Sequence, residues 1–304
     1  MIIGTVKQIW RYPVKSLAGE TLDSCEVVTG GIPGDRGWAF RDEKTREITN
    51  GKYIPLLMQT SARYREEPDN NKVPHVVMKF ADGSTIASDE PNLNTRVSKQ
   101  LGREVTLWLL QPASNKAHYR RASLVSRLVG FKLIQNQLPR ILRMKNVQTQ
   151  VREMFSREAG EPIPDLTTLP VELLEFTSPP GTYFDAFPIH VMTTASLRAM
   201  SEFNGRAAWD VRRFRPNFLI ETNDEVAGLP EAGWSGRTLR LGSVDLKCEL
   251  PTVRCGMTMQ AQAGLPKDPS VLRSIVKHAE QNLGAYASVS APGSIRLGDA
   301  VELL

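Results

Sequence analysis

Short β-branched and aromatic runs, each cut off by Gly, Pro or Asp, recur through both ends of this chain and leave little room for long helices. In the first 110 residues, Gly4–Trp10, Glu20–Thr29, Trp38–Asp42, Val76–Phe80 and Val105–Leu109 have strand character. Asp82-Gly83 predicts a hairpin joining Val76–Phe80 to Thr85–Ala87. Asn92–Leu101 predicts a short helix ended by Gly102. Residues 160–304 return to strands, with helices expected over Thr194–Phe203 and Asp268–Asn282. Thr194 is the expected N-cap of the first, and Asp268-Pro269 opens the second with proline at its first helical position. A turn at Pro292-Gly293, a strand, a Gly298-Asp299 turn and a last strand close the chain. The pattern is mainly β with some α, and it argues for barrels or sandwiches over a doubly wound sheet.

The middle of the chain differs. From 112 to 152 there are nine Lys or Arg (116, 120, 121, 127, 132, 140, 143, 145, 152) and no Asp or Glu. The other 29 of the 38 basic residues face 33 acidic ones, so the net charge of +5 belongs to this segment and the rest carries −4. Leu124, Leu128, Phe131, Leu138, Ile141 and Leu142 fall on a helical stripe interrupted by Pro139. Three divisions follow: 1–110, a strand-rich module; 111–165, a basic, partly helical connection; and 166–304, a second strand-rich unit. The connection reads as a solvated tether, as a docking surface for an acidic protein, or as a helix lying on anionic lipid. It lacks the interleaved aromatics and motifs of a nucleic-acid binder, so no specific nucleic-acid partner is expected.

The 304 residues, 41% of them hydrophobic, are ample for two cores. Three cysteines without a C-x-x-C pair exclude a disulfide framework and a Cys₄ zinc site, and they suit a reducing, cytoplasmic setting. Met1–Lys7 reads as a first strand and not as a signal peptide. No uncharged apolar run approaches the ~20 residues of a transmembrane segment.

The cysteines separate by context. Leu246, Cys248 and Leu250 alternate with Asp245, Lys247 and Glu249, which places Cys248 on the inward face of a half-buried strand. Cys25, within Leu22–Val28, reads as packing too. Cys255, in Pro251-Thr252-Val253-Arg254-Cys255-Gly256-Met257-Thr258, follows a strand and sits beside an arginine. There it is either a packed hydrophobe or a thiolate able to act as nucleophile or soft metal ligand.

Three further runs are suited to an anion. Tyr12-Pro13-Val14-Lys15-Ser16 is a stiff loop presenting an ammonium and a hydroxyl, or simply a surface lysine after a strand. Gly30-Gly31-Ile32-Pro33-Gly34-Asp35-Arg36 is a turn-rich run that permits close backbone approach, or a tight turn with a structural Asp–Arg pair; it has no nucleotide-loop spacing. Arg212-Arg213-Phe214-Arg215-Pro216-Asn217 brings three guanidiniums to the entrance of a buried strand, as an anion-binding rim or a solvated basic face. The four histidines (75, 118, 190, 278) show no metal-ligand spacing, and no nucleophile elbow or glycosidase acid pair appears.

In their order, Gly4–Ser16, Gly30–Trp38, Phe184-Asp185, Ile189–Leu197, Arg212–Ile220, Arg254-Cys255 and Gly293–Val301 resemble the MOSC superfamily, and nearly the whole chain is covered. The likeness is to its two-part members with an N-terminal MOSC β-barrel domain, such as the amidoxime reducing components and their bacterial relatives. The resemblance implies an N-terminal β-barrel-like module packed on a MOSC-type β-barrel domain that binds molybdenum–molybdopterin. It makes Cys255 the metal ligand and catalytic residue, with Lys15, Ser16, Arg36, Thr194, Arg213, Arg215, Asn217 and Arg254 on the cofactor. An anionic cofactor is what such arginines and lysines would hold. Reducing relatives remove oxygen from N-hydroxylated compounds. After the cysteine they often read Thr-Thr-Val-Asp-Pro, where this chain has Thr258-Met259-Gln260-Ala261-Gln262. No ferredoxin module precedes Leu304, so an external electron donor such as a ferredoxin or flavodoxin is expected, docking through 112–152. The other readings are a sulfur carrier with a persulfide on Cys255, and non-catalytic cofactor binding. Pyridoxal phosphate would need a Schiff-base lysine, and Lys15 is the one lysine in a candidate site.

Overall fold

The computed structural model describes residues 1–122, 145–168, 170 and 172–304. The apolar stripe from Leu124 to Leu142, with Pro139 and the basic residues 127, 132, 140 and 143, lies outside the described residues. Sixteen strands are described. The first nine are β1 Ile2–Arg11, β2 Glu20–Leu22, β3 Ser24–Val27, β4 Trp38–Asp42, β5 Glu47–Ile48, β6 Ser61–Tyr64, β7 Val76–Lys79, β8 Thr85–Ala87 and β9 Val105–Leu109. The rest are β10 Ile189–Thr193, β11 Phe218–Thr222, β12 Thr238–Leu241, β13 Val244–Val253, β14 Asn282–Ala291, β15 Gly293–Arg296 and β16 Ala300–Leu303.

Seven of them close on themselves in the order β1-β11-β10-β14-β13-β12-β16, with β16 returning to β1. Every pairing is antiparallel except β10–β11, which the helix Thr194–Phe203 connects. The first strand of the chain therefore completes a barrel whose other staves come from residues 189–303. A closed ring has no unpaired edge to protect. Irregular pairing at Ile2/Gly4 and Val6/Gln8 offsets the alternation of β1, so Ile3, Val6 and Ile9 all face the core. They meet Phe218, Ile220, Leu239, Leu246, Ala287 and Val301 there. Cys248 is fully buried among these side chains, as the alternation predicts, and burial pushes its thiol up to about 12. Cys25, half-buried against the same core, is pushed by burial to about 12 as well.

The strands β5-β4-β9 and β6-β7-β8 form two small sheets over one shared core of Val14, Leu17, Trp38, Phe40, Met78 and Ile86. The predicted hairpin is β7–β8, with Gly83 in the left-handed region. Helix Leu93–Leu101 adds Leu93, Val97 and Leu101, four residues apart on one face, and ends at a left-handed Gly102.

Two helix expectations are corrected. The cap of Thr194–Phe203 is Thr193, whose Oγ1 accepts from the Ser196 amide at 3.1 Å. The second helix spans Pro269–His278, not Asp268–Asn282. Asp268 caps it, and Glu280 and Gln281, both with positive φ, turn the chain so that Asn282 starts β14. Among the described residues, no helix is long and apolar enough to cross a membrane.

Candidate functional site

One end of the barrel gathers the loop after β1, the start of β10, the loop leading into β11, the end of β13 and the start of β14. Between them opens a cleft of about 200 Å³. Among the described residues its lining holds six basic residues (Arg36, Lys52, Arg121, Arg213, Arg215 and Arg254) and a single carboxylate, Asp185. Cys255 lines the same cleft, half-buried, at the head of the tight turn Gly256–Met259. The lining also has apolar side chains, Met154, Phe155, Leu173, Phe187 and Met257 among them.

The backbone at this site is unusual. Ser16, Arg36 and Arg215 all have positive φ, at 69°, 54° and 57°. Such conformations cost of order 1–3 kcal/mol each for a non-glycine residue and persist where the surroundings impose them. Here they fall in the three anion-suited runs of the sequence.

Arg215, 8% exposed, covers the Tyr12 ring at 4.2 Å and donates from Nη1 to the Leu17 carbonyl. Its Nη2 is buried with no hydrogen-bond partner among the described residues. Burial pushes the guanidinium down to about 10. Arg36 lies over the same Tyr12 ring at 4.8 Å and pairs with Asp35. Burial opposes its charge, but Asp35 and Asp185 hold its pKa above the ordinary arginine value. Lys15, 4% exposed, donates to Asp185 Oδ1 at 2.6 Å and to the Tyr183 carbonyl at 2.8 Å. Burial pulls its ammonium down, and Asp185 offsets part of that. Asp185 is exposed at the cleft; the protein around it favours protonation, but Lys15, Arg36 and Arg215 hold it below the usual carboxylate range.

Arg254 is 7% exposed. It donates to Leu283 O from Nε at 2.8 Å, to Phe214 O from Nη1 at 3.1 Å, and to His190 Nε2 from Nη2 at 2.7 Å. A guanidinium cannot accept, so His190 presents a lone pair at Nε2 and carries its proton on Nδ1. Burial, followed by the Arg254 charge, keeps this imidazole neutral, well below its ordinary value.

The sequence-predicted residues thus divide by role. Cys255, Arg36, Arg213, Arg215, Asn217 and Arg254 line the cleft, and Lys15 reaches it through Asp185. Ser16 is buried beside Lys15. Arg213, 1% exposed, gives its donors to the carbonyls of Ala208, Thr258, Gln260 and Pro266, so it anchors the turn after Cys255. Asn217 is a latch between strands, bonded to the His190 amide and to Asp35. Arg212 is paired with Asp210. Thr194 is not among the cleft residues; its hydroxyl bonds Thr222 and Arg198. Sequence reasoning missed His190, Tyr286 and Arg157. The first two are single residues inside strand patterns, and no local signal marks them. Among the described residues, no group of three His, Cys, Asp or Glu could hold a metal ion by itself.

A closed β-barrel joined to a smaller β module, with a half-buried cysteine on a guanidinium-lined cleft, defines the class of protein. Residues 180–302 match the MOSC domain and residues 3–132 the MOSC N-terminal beta barrel domain. The chain belongs to the two-domain MOSC proteins. It is 23% identical over 324 aligned residues to the mitochondrial amidoxime reducing component 2 of Bos taurus, covering 98% of this chain and 83% of that one. It is 24% identical over 326 to the mitochondrial amidoxime-reducing component 1 of Homo sapiens, covering 99% and 83%. Among solved structures, the YuaD protein from Bacillus subtilis aligns over 99% of this chain and 94% of that one, with 11% identity and a TM-score of 0.41.

Proposed function

We propose that this chain is a molybdenum–molybdopterin oxidoreductase that reduces N-hydroxylated or related N–O compounds. The observation that carries the reading is the buried Arg215 Nη2, which has no partner among the described residues, in a cleft they line with six basic side chains and one carboxylate. A buried donor left unpaired costs about 1–3 kcal/mol, and an anionic occupant would satisfy it. The donor set therefore fits an anionic pterin phosphate, and a thiol at the rim fits a soft metal. The names of the relatives, amidoxime reducing components, support the same class of substrate.

In this reading Cys255 holds the metal, while Arg36, Arg215, Lys15 with Ser16, and Arg254 hold the pterin and its phosphate. When bound, the cofactor supplies two-electron redox chemistry that side chains lack. The chain's own groups orient and shield. Arg213 fixes the turn after Cys255 through its four carbonyl contacts. Asp185 stays ionised and His190 neutral, so neither is the acid that supplies a proton at neutral pH. Tyr286 lines the cleft and keeps its phenolic proton, because burial raises its pKa above the ordinary value. Met154, Phe155, Leu173, Phe187 and Met257 give the cleft an apolar lining that would limit water around a bound substrate. Electrons come from a separate donor, for which the basic stretch 112–152 is the proposed dock; a transfer rate insensitive to ionic strength would count against that dock.

The test is expression in a host that makes the cofactor, with molybdenum and pterin measured per chain in wild type and Cys255→Ser, followed by assays on amidoximes and hydroxylamines. Near-stoichiometric pterin and metal, with the metal lost or its coordination altered in the variant, is the expected result. No pterin and no metal in the wild type, with persulfide on Cys255, would replace this reading with sulfur transfer.

A further inference from the structure

We infer that Arg157, in the connection between the two domains, is a positioning residue for Cys255. It clamps the backbone on one side of the cysteine while its neighbour Ser156 clamps the other. The inference rests on Cys255 being the reactive group of the function proposed above.

Helix Lys145–Phe155 ends at a left-handed Ser156, φ 53°, and the chain turns there into the barrel. Arg157 follows, 7% exposed. Its Nη2 donates to the Arg254 carbonyl at 2.9 Å, and that carbonyl belongs to the peptide whose N–H is Cys255's own. Its Nε donates to Gln281 Oε1 at 3.0 Å, and its Nη1 to the Phe155 carbonyl at 2.8 Å. The Gln281 carbonyl in turn accepts from the Arg254 amide at 2.9 Å. Arg157 and Gln281 thus hold both backbone groups of the residue before the cysteine. Gln281, φ 71°, is itself left-handed, so this contact is imposed by the fold and not relaxed into.

The residue after the cysteine is held by contact. A Cβ built on Gly256 would lie 2.2 Å from Ser156 Oγ and 2.9 Å from Ser156 Cβ. Glycine is the residue that lets the Cys255–Gly256 peptide lie this close to the connection. The corner is bolted from outside as well: Arg273 donates to the Ser156 carbonyl at 2.6 Å and to Glu161 Oε2 at 2.7 Å.

The charge of Arg157 supports the assignment. Its three partners are neutral oxygens. Burial pushes the guanidinium down to about 10. A buried cation bonded to uncharged partners is costly for packing alone. The connection is therefore part of the cysteine site as well as a tether.

The experiment uses the 304-residue chain without cofactor, so its outcome stands apart from whether the protein binds molybdopterin. Amide hydrogen exchange is followed over residues 254–259 and over the barrel strands, in wild type, Arg157→Met and Arg157→Lys. The expected result is exchange at least tenfold faster at 254–259 in R157M, recovery to within about threefold of wild type in R157K, and unchanged protection in β10 and β13. Unchanged exchange at 254–259 in R157M overturns the inference. If R157M loses protection everywhere, the pair Gly256→Ala and Gly256→Ala with Ser156→Gly carries the test. The single variant should loosen 254–259 and the double variant restore it; an inert single variant or a failed rescue overturns the inference. In cofactor-loaded protein, R157M should lower kcat at least tenfold with KM within twofold. A matched change in both would reduce Arg157 to a general stability role and overturn the assignment.

Discussion

Asn217 donates from Nδ2 to Asp35 Oδ2 at 3.0 Å, across 182 residues of sequence. Asp35 accepts from the Tyr12 amide at 2.8 Å on its other oxygen and pairs with Arg36. One carboxylate and one amide therefore lock the Tyr-Pro-Val-Lys-Ser loop, the Gly-Asp-Arg turn and the Arg-rich run into a single rim.

Asn217→Ala should destabilise the chain by about 1–3 kcal/mol, because it leaves the buried His190 amide without its acceptor and takes from Asp35 one of its donors, with Arg36 still paired to that oxygen. Denaturant unfolding with an unchanged m-value would show it. A loss below about 0.5 kcal/mol would mean that the rim is not held through this latch.

Arg215→Met should leave the barrel folded and lower pterin retention at least tenfold, since a hydrogen bond to a charged group is worth about 1.5–3 kcal/mol. Pterin per chain after serial dialysis measures it. Wild-type retention in the variant would remove the unpaired Nη2 as the carrier of the proposed function.

The pH dependence has a definite sign at His190. Its folded pKa is depressed, chiefly by burial and then by Arg254, below the ordinary 6.5. The unfolded chain then binds a proton that the folded chain refuses, so stability present above pH ~6.5 is lost as pH falls below it toward the depressed folded value. His190→Gln, which keeps an acceptor for Arg254, should flatten the stability-versus-pH curve between about pH 6.5 and 5 by up to one proton. Parallel curves for the two proteins would contradict this.

Barrel closure is testable at Gly4, where an added Cβ would sit 2.0 Å from the Glu221 carbonyl oxygen at the β1–β11 seam. Gly4→Ala should cost about 3 kcal/mol, the upper part of the usual overpacking range. Gly30→Ala, where a methyl meets nothing within 4 Å, should be near neutral. Equal effects from the two would mean that the seam yields.

Much of the fold was legible because it is local. The Asp82-Gly83 hairpin, the Gly102 stop and the inward-facing Cys248 each follow from periodicity or turn chemistry within a few residues. The cap of the first MOSC-domain helix was misplaced by one residue because Thr193 and Thr194 carry the same hydroxyl. Only the backbone decides which one turns back, and here Thr193 is extended at φ −115°. The helix from Pro269 ran four residues long in the sequence reading, since nothing in Ala279–Asn282 announces a left-handed turn.

Of the site, composition and motif spacing pointed to Cys255 and to three cationic runs. Which cation does what was beyond them. Arg213 and Arg215 are two residues apart with identical side chains, yet one is saturated by backbone carbonyls and the other keeps a buried donor unpaired. Arg157 carried no signal, because its partner carbonyl lies 97 residues away. The sequence by itself determined the strands, the turns, the inward cysteine and the stock of anion-suited side chains, all consequences of torsional preference and hydrophobic period over short stretches. The tertiary structure alone decided that β1 closes the barrel, that three distant loops make one rim, and that the connection clamps Cys255. Those depend on contacts whose free energy exists only after distant segments have been brought together.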